Sequence, residues 1–130
     1  MRNKNARIHA LMPLIVVAAF ALHAGCMTLE QMAPPVGVEF QRVAQRQHVN
    51  LSALELGRQV YLLDCAKCHG VEPIGRYSES RWRKILPRMG KESKLDAQEQ
   101  AAVNAYVMAA HAFLSQESAK LAAAENPKTD

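Results

Sequence analysis

Two cysteines and a histidine stand within five residues of one another in the run LLDCAKCHG, at Cys65, Cys68 and His69. Thiols three residues apart can form a disulfide or take part in thiol exchange, and thiolate and imidazole are also ligands that zinc prefers. The same order of residues is the attachment signature of a c-type haem. The thiols bond to one edge of the ring and the histidine binds the iron. The rest of the chain must separate these three chemistries.

The zinc and thiol-exchange readings find little support elsewhere in the sequence. A structural zinc site usually takes four ligands in two pairs, and neither His48 nor His111 has a spacing that completes one. Reactive thiol pairs have their thiolate stabilised at a helix N-terminus, whereas this pair ends a predicted helix, where the helix dipole opposes a thiolate. A disulfide between residues three apart in a helix would be strained. Haem attachment is the favoured interpretation.

The helix before the motif is predicted from Ser52 to about Lys67. Ser52 and Glu55 have the spacing of a capping box, and Gly70 is a stop signal. One helical face carries residues at steps of three and four, namely Leu54, Gly57, Tyr61, Cys65 and Cys68. This spacing places both thiols on a single face.

Two further helices follow, and no segment has the alternation of a strand. Residues 79–89 form an amphipathic helix in which Pro87 predicts a kink or an early end. The last helix opens at Asp96, with Glu99 three residues on. Its predicted buried stripe is Val103, Tyr106, Ala110 and Phe113. The predicted fold class is all-α.

Two runs resemble the small class I cytochrome c family over about residues 52–114. LGRQVYLLDCAKCHG resembles the first helix of that family, and LDAQEQAAVNAYV resembles its last. The resemblance implies a small helical domain around one covalently attached haem c, with a contact between Gly57 and Tyr106. It also implies that Cys65 and Cys68 anchor the ring, that His69 is the proximal iron ligand, and that the protein is an electron carrier rather than an enzyme.

The resemblance implies a methionine as the sixth iron ligand, since family members commonly use that soft thioether. Met89 has the matching place, seven residues before Asp96, but it follows His69 by only 20 residues. The family span is longer, so a more exposed haem is expected. Met108 is the next candidate, and His48 or His111 would give bis-histidine ligation.

An iron without a sixth side-chain ligand would give a different protein, one that binds gases or reacts with peroxide. A third possibility is a haem-bearing structural subunit of a larger respiratory complex. Around the haem, the Pro73 carbonyl is expected to accept from His69 or to serve only as a turn residue. The side chains of Arg76, Tyr77 and Trp82 are expected to reach the haem propionates, although Trp82 can equally anchor the core.

The N-terminal residues predict export. A basic start, MRNKNARIHA, precedes twelve uncharged residues at 11–22 and then HAGC at 23–26. Twelve residues are too few for a membrane-spanning helix, which needs about 20. The end of this segment resembles a bacterial lipoprotein signal, which would place a lipid on Cys26, although His23 departs from that pattern and cleavage after Ala24 is the alternative. The residue after Cys26 is Met27 and not aspartate. By analogy with lipoproteins, this favours anchoring on the periplasmic side of the outer membrane over the inner membrane.

The predicted organisation has four parts: an export signal at 1–25, a tether and lead-in at 26–50 that can hold one helical turn around Phe40–Val43, the haem domain at 51–116 and a frayed or disordered tail at 117–130. The chain has 16 basic and 12 acidic residues. Three of the basic residues belong to the signal, which leaves a net charge of +1 and gives no support for nucleic-acid binding. The segment from Arg76 to Lys94 contains seven basic residues and only two acidic ones. That segment is either a solvated helix face or a docking patch for acidic redox partners.

Overall fold

The computed structural model describes residues 27–126, and within them the chain forms five α-helices and two short 3₁₀ turns, with no strand. The helices are α1 (Leu29–Met32), α2 (Val38–Gln45), α3 (Leu51–Leu63), α4 (Glu79–Glu92) and α5 (Ala97–Glu125). The 3₁₀ turns span Cys65–Lys67 and Ile74–Arg76. The predicted all-α class is confirmed. The predicted signal and Cys26 lie outside the described residues.

Polar caps fix where the main helices begin. At α5, the Asp96 carboxylate accepts from the Glu99 backbone N–H and the Glu99 carboxylate accepts from the Asp96 N–H, as predicted. At the N-terminus of α3 the cap is Asn50, so the predicted cap Ser52 was wrong by two residues. The Asn50 side chain accepts from the Ala53 N–H at 2.8 Å, and the Ser52 hydroxyl bonds to the same Asn50 oxygen. Asparagine is as good a cap as serine, and here it comes first along the chain.

Helices α3 and α5 cross where a glycine lets their backbones meet, and theirs is the most extensive contact between helices. A β-carbon built on Gly57 would lie 2.6 Å from both the Ala102 carbonyl carbon and Tyr106 Cβ. Real β-carbons do not approach so closely, so only glycine fits here. The predicted contact between Gly57 and Tyr106 is confirmed.

Residues 33–44 contribute four buried side chains to the core, so this part of the predicted tether and lead-in is packed. The helical turn expected near Phe40–Val43 is present and is part of α2. Phe40 on α2 is 1% exposed, and its ring lies edge-on to Tyr106 with 5.8 Å between centroids. The Tyr106 hydroxyl donates to the Pro34 carbonyl at 2.8 Å, and the Arg58 guanidinium donates to the same carbonyl at 3.2 Å. These contacts hold the segment against α3 and α5.

Helix α4 passes through a proline without ending. Pro87 lies inside the helix, which continues to Glu92, so the predicted early end was wrong. Proline removes the donor that would bond to the carbonyl four residues earlier, which is that of Arg83. Both residues are exposed, so water can satisfy that carbonyl.

Helix α5 extends to Glu125, whereas the sequence predicted fraying from residue 117. Alanine is the strongest helix former, and Lys120 pairs with Glu117 at 2.6 Å one turn away. Local propensity therefore supports an exposed extension. Although α5 has 29 residues, no helix within residues 27–126 combines the length and apolar character needed to cross a membrane.

Candidate functional site

The Cys-x-x-Cys-His segment forms a tight turn at the C-terminal end of α3. The α-helix ends at Leu63, earlier than predicted, and narrows to the 3₁₀ turn Cys65–Lys67. The Gly70 N–H then donates to the Ala66 carbonyl at 3.0 Å. Gly70 has a φ of +78°, which glycine adopts without strain, so the predicted stop residue ends this helical run.

A groove of about 360 Å³ lies between this turn and α4. Cys65 and His69 line it from the turn, and Ile85 and Met89 line it from the helix. Its volume is within the range of about 300–1,000 Å³ typical of small-molecule pockets. The fold therefore brings His69 and Met89, 20 residues apart in sequence, to one cavity.

The other residues considered as iron ligands lie elsewhere. Neither Met108 nor His111 lines this groove, and His48 lines a different surface pocket near the start of α3. Cys68 is exposed and is not part of the groove lining, although it belongs to the same turn as Cys65. Among residues 27–126, neither of these two cysteines forms a disulfide.

Aromatic side chains make the rigid wall of the groove. Trp82 is 3% exposed, and its indole N–H donates to the Ile74 carbonyl at 2.8 Å. Its ring contacts Tyr61 and Tyr77 edge-on, with centroid distances of 6.2 and 5.4 Å. The Tyr61 hydroxyl donates to the Glu72 carbonyl. Both polar groups are thus bonded to the backbone, and Trp82 is the core anchor that one of the two sequence interpretations described.

Two more residues expected near the haem have hydrogen-bond partners within the protein. Arg76 pairs with the Glu72 carboxylate at 2.8 Å and lies over the Tyr77 ring. The Pro73 carbonyl accepts from the Arg76 backbone N–H at 3.0 Å, which closes the second 3₁₀ turn. The turn role of Pro73 is therefore present, and its predicted bond from His69 stays a prediction.

The Cys65 thiol lines the groove and is partly buried. Burial raises the pKa of this thiol, and the nearby Asp64 carboxylate raises it further. A raised pKa keeps the thiol protonated at neutral pH, whereas reactive exchange thiols have depressed pKa values. This environment does not favour thiol–disulfide exchange. Residues 27–126 also hold no cluster of three or more histidine, cysteine or acidic side chains placed to bind a metal ion.

Sequence reasoning missed part of the groove wall. Seven residues of α4 line it, and three of them, Arg81, Arg88 and Glu92, were not predicted to do so. The two arginines were counted only as members of the basic segment. Their steps of four and three from Ile85 were the available signal, but the face of α4 that meets the motif depends on the packing of α4 against α5.

Comparisons with protein-family models, with curated proteins and with solved structures found no match to this chain. A functional assignment therefore depends on the motif residues and on the groove they share.

Proposed function

We propose that this protein is a c-type cytochrome that carries single electrons between redox partners. Cys65 and Cys68 would attach the ring covalently, His69 would bind the iron as proximal ligand, and Met89 would be the distal ligand. The observation that carries the proposal is the shared groove, which Cys65, His69 and Met89 all line. Few other functions need a thiol, an imidazole and a thioether facing one apolar cavity.

The residues present fit a haem. Its flat apolar ring needs apolar walls, which Ile85, Trp82 and Leu86 supply. Both predicted iron ligands are side chains that bind haem iron in other proteins. When bound, the haem would supply reversible one-electron transfer at its iron.

Residues of the chain would set the reduction potential of the iron, occupy its sixth position and hold the groove wall in place. A thioether from Met89 raises the potential of haem iron and would fill its sixth position, leaving no site for substrate. The buried Tyr61 and Trp82, each hydrogen-bonded to the backbone, would hold the groove wall in one geometry. A rigid wall lowers the rearrangement that accompanies each change of iron charge.

Location and charge would bring partners to the groove. Export and a lipid on Cys26 would hold the carrier at a membrane surface and raise its effective concentration near a fixed partner. Five exposed basic residues between positions 76 and 94 form no ion pair with carboxylates of residues 27–126: Arg81, Lys84, Arg88, Lys91 and Lys94. They would steer acidic redox partners toward the exposed haem edge.

The test is an absorption spectrum of the exported protein in its oxidised and reduced forms. We expect covalent haem in the wild type, no covalent haem in a Cys65→Ala/Cys68→Ala variant, and the weak long-wavelength band of methionine-bound ferric haem. Met89→Ala should abolish that band, and Met108→Ala, a matched control outside the groove, should retain it.

Two results would contradict the proposal. A wild type without covalent haem would remove the cytochrome assignment. A haem that lacks the band and binds carbon monoxide readily when reduced would have an open sixth position, and gas binding or peroxide chemistry would replace electron transfer.

A further inference from the structure

Two arginines stand on the groove face of α4, on either side of its apolar centre. Arg81 and Arg88 both line the cavity, with Ile85 between them. Seven residues of helix separate them by about 10 Å along the axis. The apolar middle of the α4 wall therefore lies between two arginines.

Within residues 27–126, these two arginines have no carboxylate partner, unlike the other two arginines of the basic segment. On the same helix, Arg83 pairs with Glu79, and in the preceding turn Arg76 pairs with Glu72. Neither Arg81 nor Arg88 lies within 4.0 Å of a carboxylate of residues 27–126.

Glu92 also lines the groove one turn beyond Arg88 without forming an ion pair with it. The α4 wall thus presents two cations and one anion to the cavity. That balance suits a ligand with negatively charged groups.

We infer that Arg81 and Arg88 bind the propionate carboxylates of the haem. This inference rests on the proposed function and deepens it. Guanidinium groups pair with carboxylates through two parallel N–H···O bonds, which fix orientation as well as charge. Two of the three donors expected from the sequence are less available, because the Trp82 N–H is bonded to Ile74 and Arg76 is paired with Glu72. The third, Tyr77, lines the groove with the arginines but carries no positive charge.

The pairing has an electrostatic consequence for the redox centre. A reduced iron carries one positive charge fewer than an oxidised iron, so nearby positive charge favours the reduced state. Arginines that neutralise the propionates would therefore raise the reduction potential. Both arginines are exposed, but a pair in direct contact is much closer than the Debye length, so salt would screen it less than charges that lie farther from the haem.

The experiment measures the reduction potential of the haem-loaded full chain at low and high salt. The test variants are Arg81→Gln, Arg88→Gln and the double variant. Lys84→Gln and Lys91→Gln are matched controls, since they remove the same charge from exposed positions of α4 outside the groove. Arg81→Lys and Arg88→Lys keep the charge and lose the two-point geometry.

We expect each glutamine variant to lower the potential, the double variant to lower it further, and the shift to persist at high salt. The lysine variants should recover part of it, and the control shifts should vanish at high salt. Glutamine variants that behave like the controls at both salt concentrations would overturn the inference alone. A wild type without covalent haem would overturn the proposed function, and this inference with it.

Discussion

At the scale of single residues, Gly90, which follows Met89, leaves space for a side chain of α5 to pack against α4. A β-carbon built on Gly90 would lie 2.6 Å from Gln100 Cδ and 3.2 Å from its Nε2. That amide donates to the Leu86 carbonyl at 3.4 Å and to the Asn104 side chain at 2.8 Å. The missing side chain of Gly90 thus allows Gln100 to form the hydrogen bond that links α5 to α4 one turn before Met89.

We predict that Gly90→Ala has opposite effects in two backgrounds. In the wild type it should lower the free energy of unfolding by about 0.5–1.5 kcal/mol, because the Gln100 amide must move and lose its hydrogen bonds to Leu86 and Asn104. In a Gln100→Ala background it should raise that free energy by about 0.5–1 kcal/mol, because alanine is the better helix former. Urea unfolding of the four proteins measures both effects.

Gly75→Ala is the control for the general effect of an added methyl group, since its nearest atom would be Leu114 Cδ1 at 4.0 Å. Equal effects of Gly90→Ala in both backgrounds would show that the contact with Gln100 carries no energy. The sequence could not predict this pair. The Gly57 contact followed from a family resemblance, whereas Gly90 and Gln100 meet only because of how α4 and the loop to α5 are placed.

At the scale of elements, α2 is a short amphipathic helix that acts as a lid on the core. Its buried residues, Phe40, Val43 and Ala44, stand at positions i, i+3 and i+4, which is the signature of one helical face. The sequence analysis allowed one helical turn here. Pro34, Pro35 and Gly37, which are typical of linkers, favoured a tether over a helix packed on the core. The Pro34 carbonyl is nevertheless an acceptor, and Tyr106 uses it.

Substitutions on α2 test whether the segment is a lid or a tether. Phe40→Ala should lower the free energy of unfolding by about 3–5 kcal/mol, the usual cost of emptying a buried aromatic site. Val38→Ala on the same helix, at a position that is 66% exposed, should change it by less than about 0.5 kcal/mol. Thermal or urea unfolding distinguishes the two cases. Equal, small effects would restore the tether assignment.

At the scale of the whole molecule, two tyrosines join distant segments to one core. Tyr61 lies beside the groove and donates to the Glu72 carbonyl, and Tyr106 lies under α2 and donates to the Pro34 carbonyl. Their ring centroids are 6.1 Å apart. The sequence predicted both rings on buried helix faces. The acceptors could not be predicted, because each is a backbone carbonyl in an irregular segment whose position depends on the complete fold.

This arrangement predicts a loss of stability at alkaline pH. Burial raises the pKa of Tyr61 and of Tyr106 above the ordinary value of 10.0, and at Tyr106 it outweighs the opposing effect of the Arg58 guanidinium. Above about pH 10 the unfolded chain releases these protons while the folded chain keeps them. The free energy of unfolding should therefore fall as pH rises, by up to about 1.4 kcal/mol per pH unit for each tyrosine.

Urea unfolding between pH 7 and pH 11 measures that slope. Tyr61→Phe and Tyr106→Phe should each be less stable at pH 7, because a hydrogen bond is lost, yet should lose less stability as pH rises. Phe40→Ala is the comparison variant: it removes no hydroxyl but uncovers the Tyr106 ring, so it should keep the part of the alkaline slope that Tyr61 contributes. A double phenylalanine variant with the wild-type slope would mean that other groups control alkaline unfolding and that the two buried hydroxyls do not couple stability to pH.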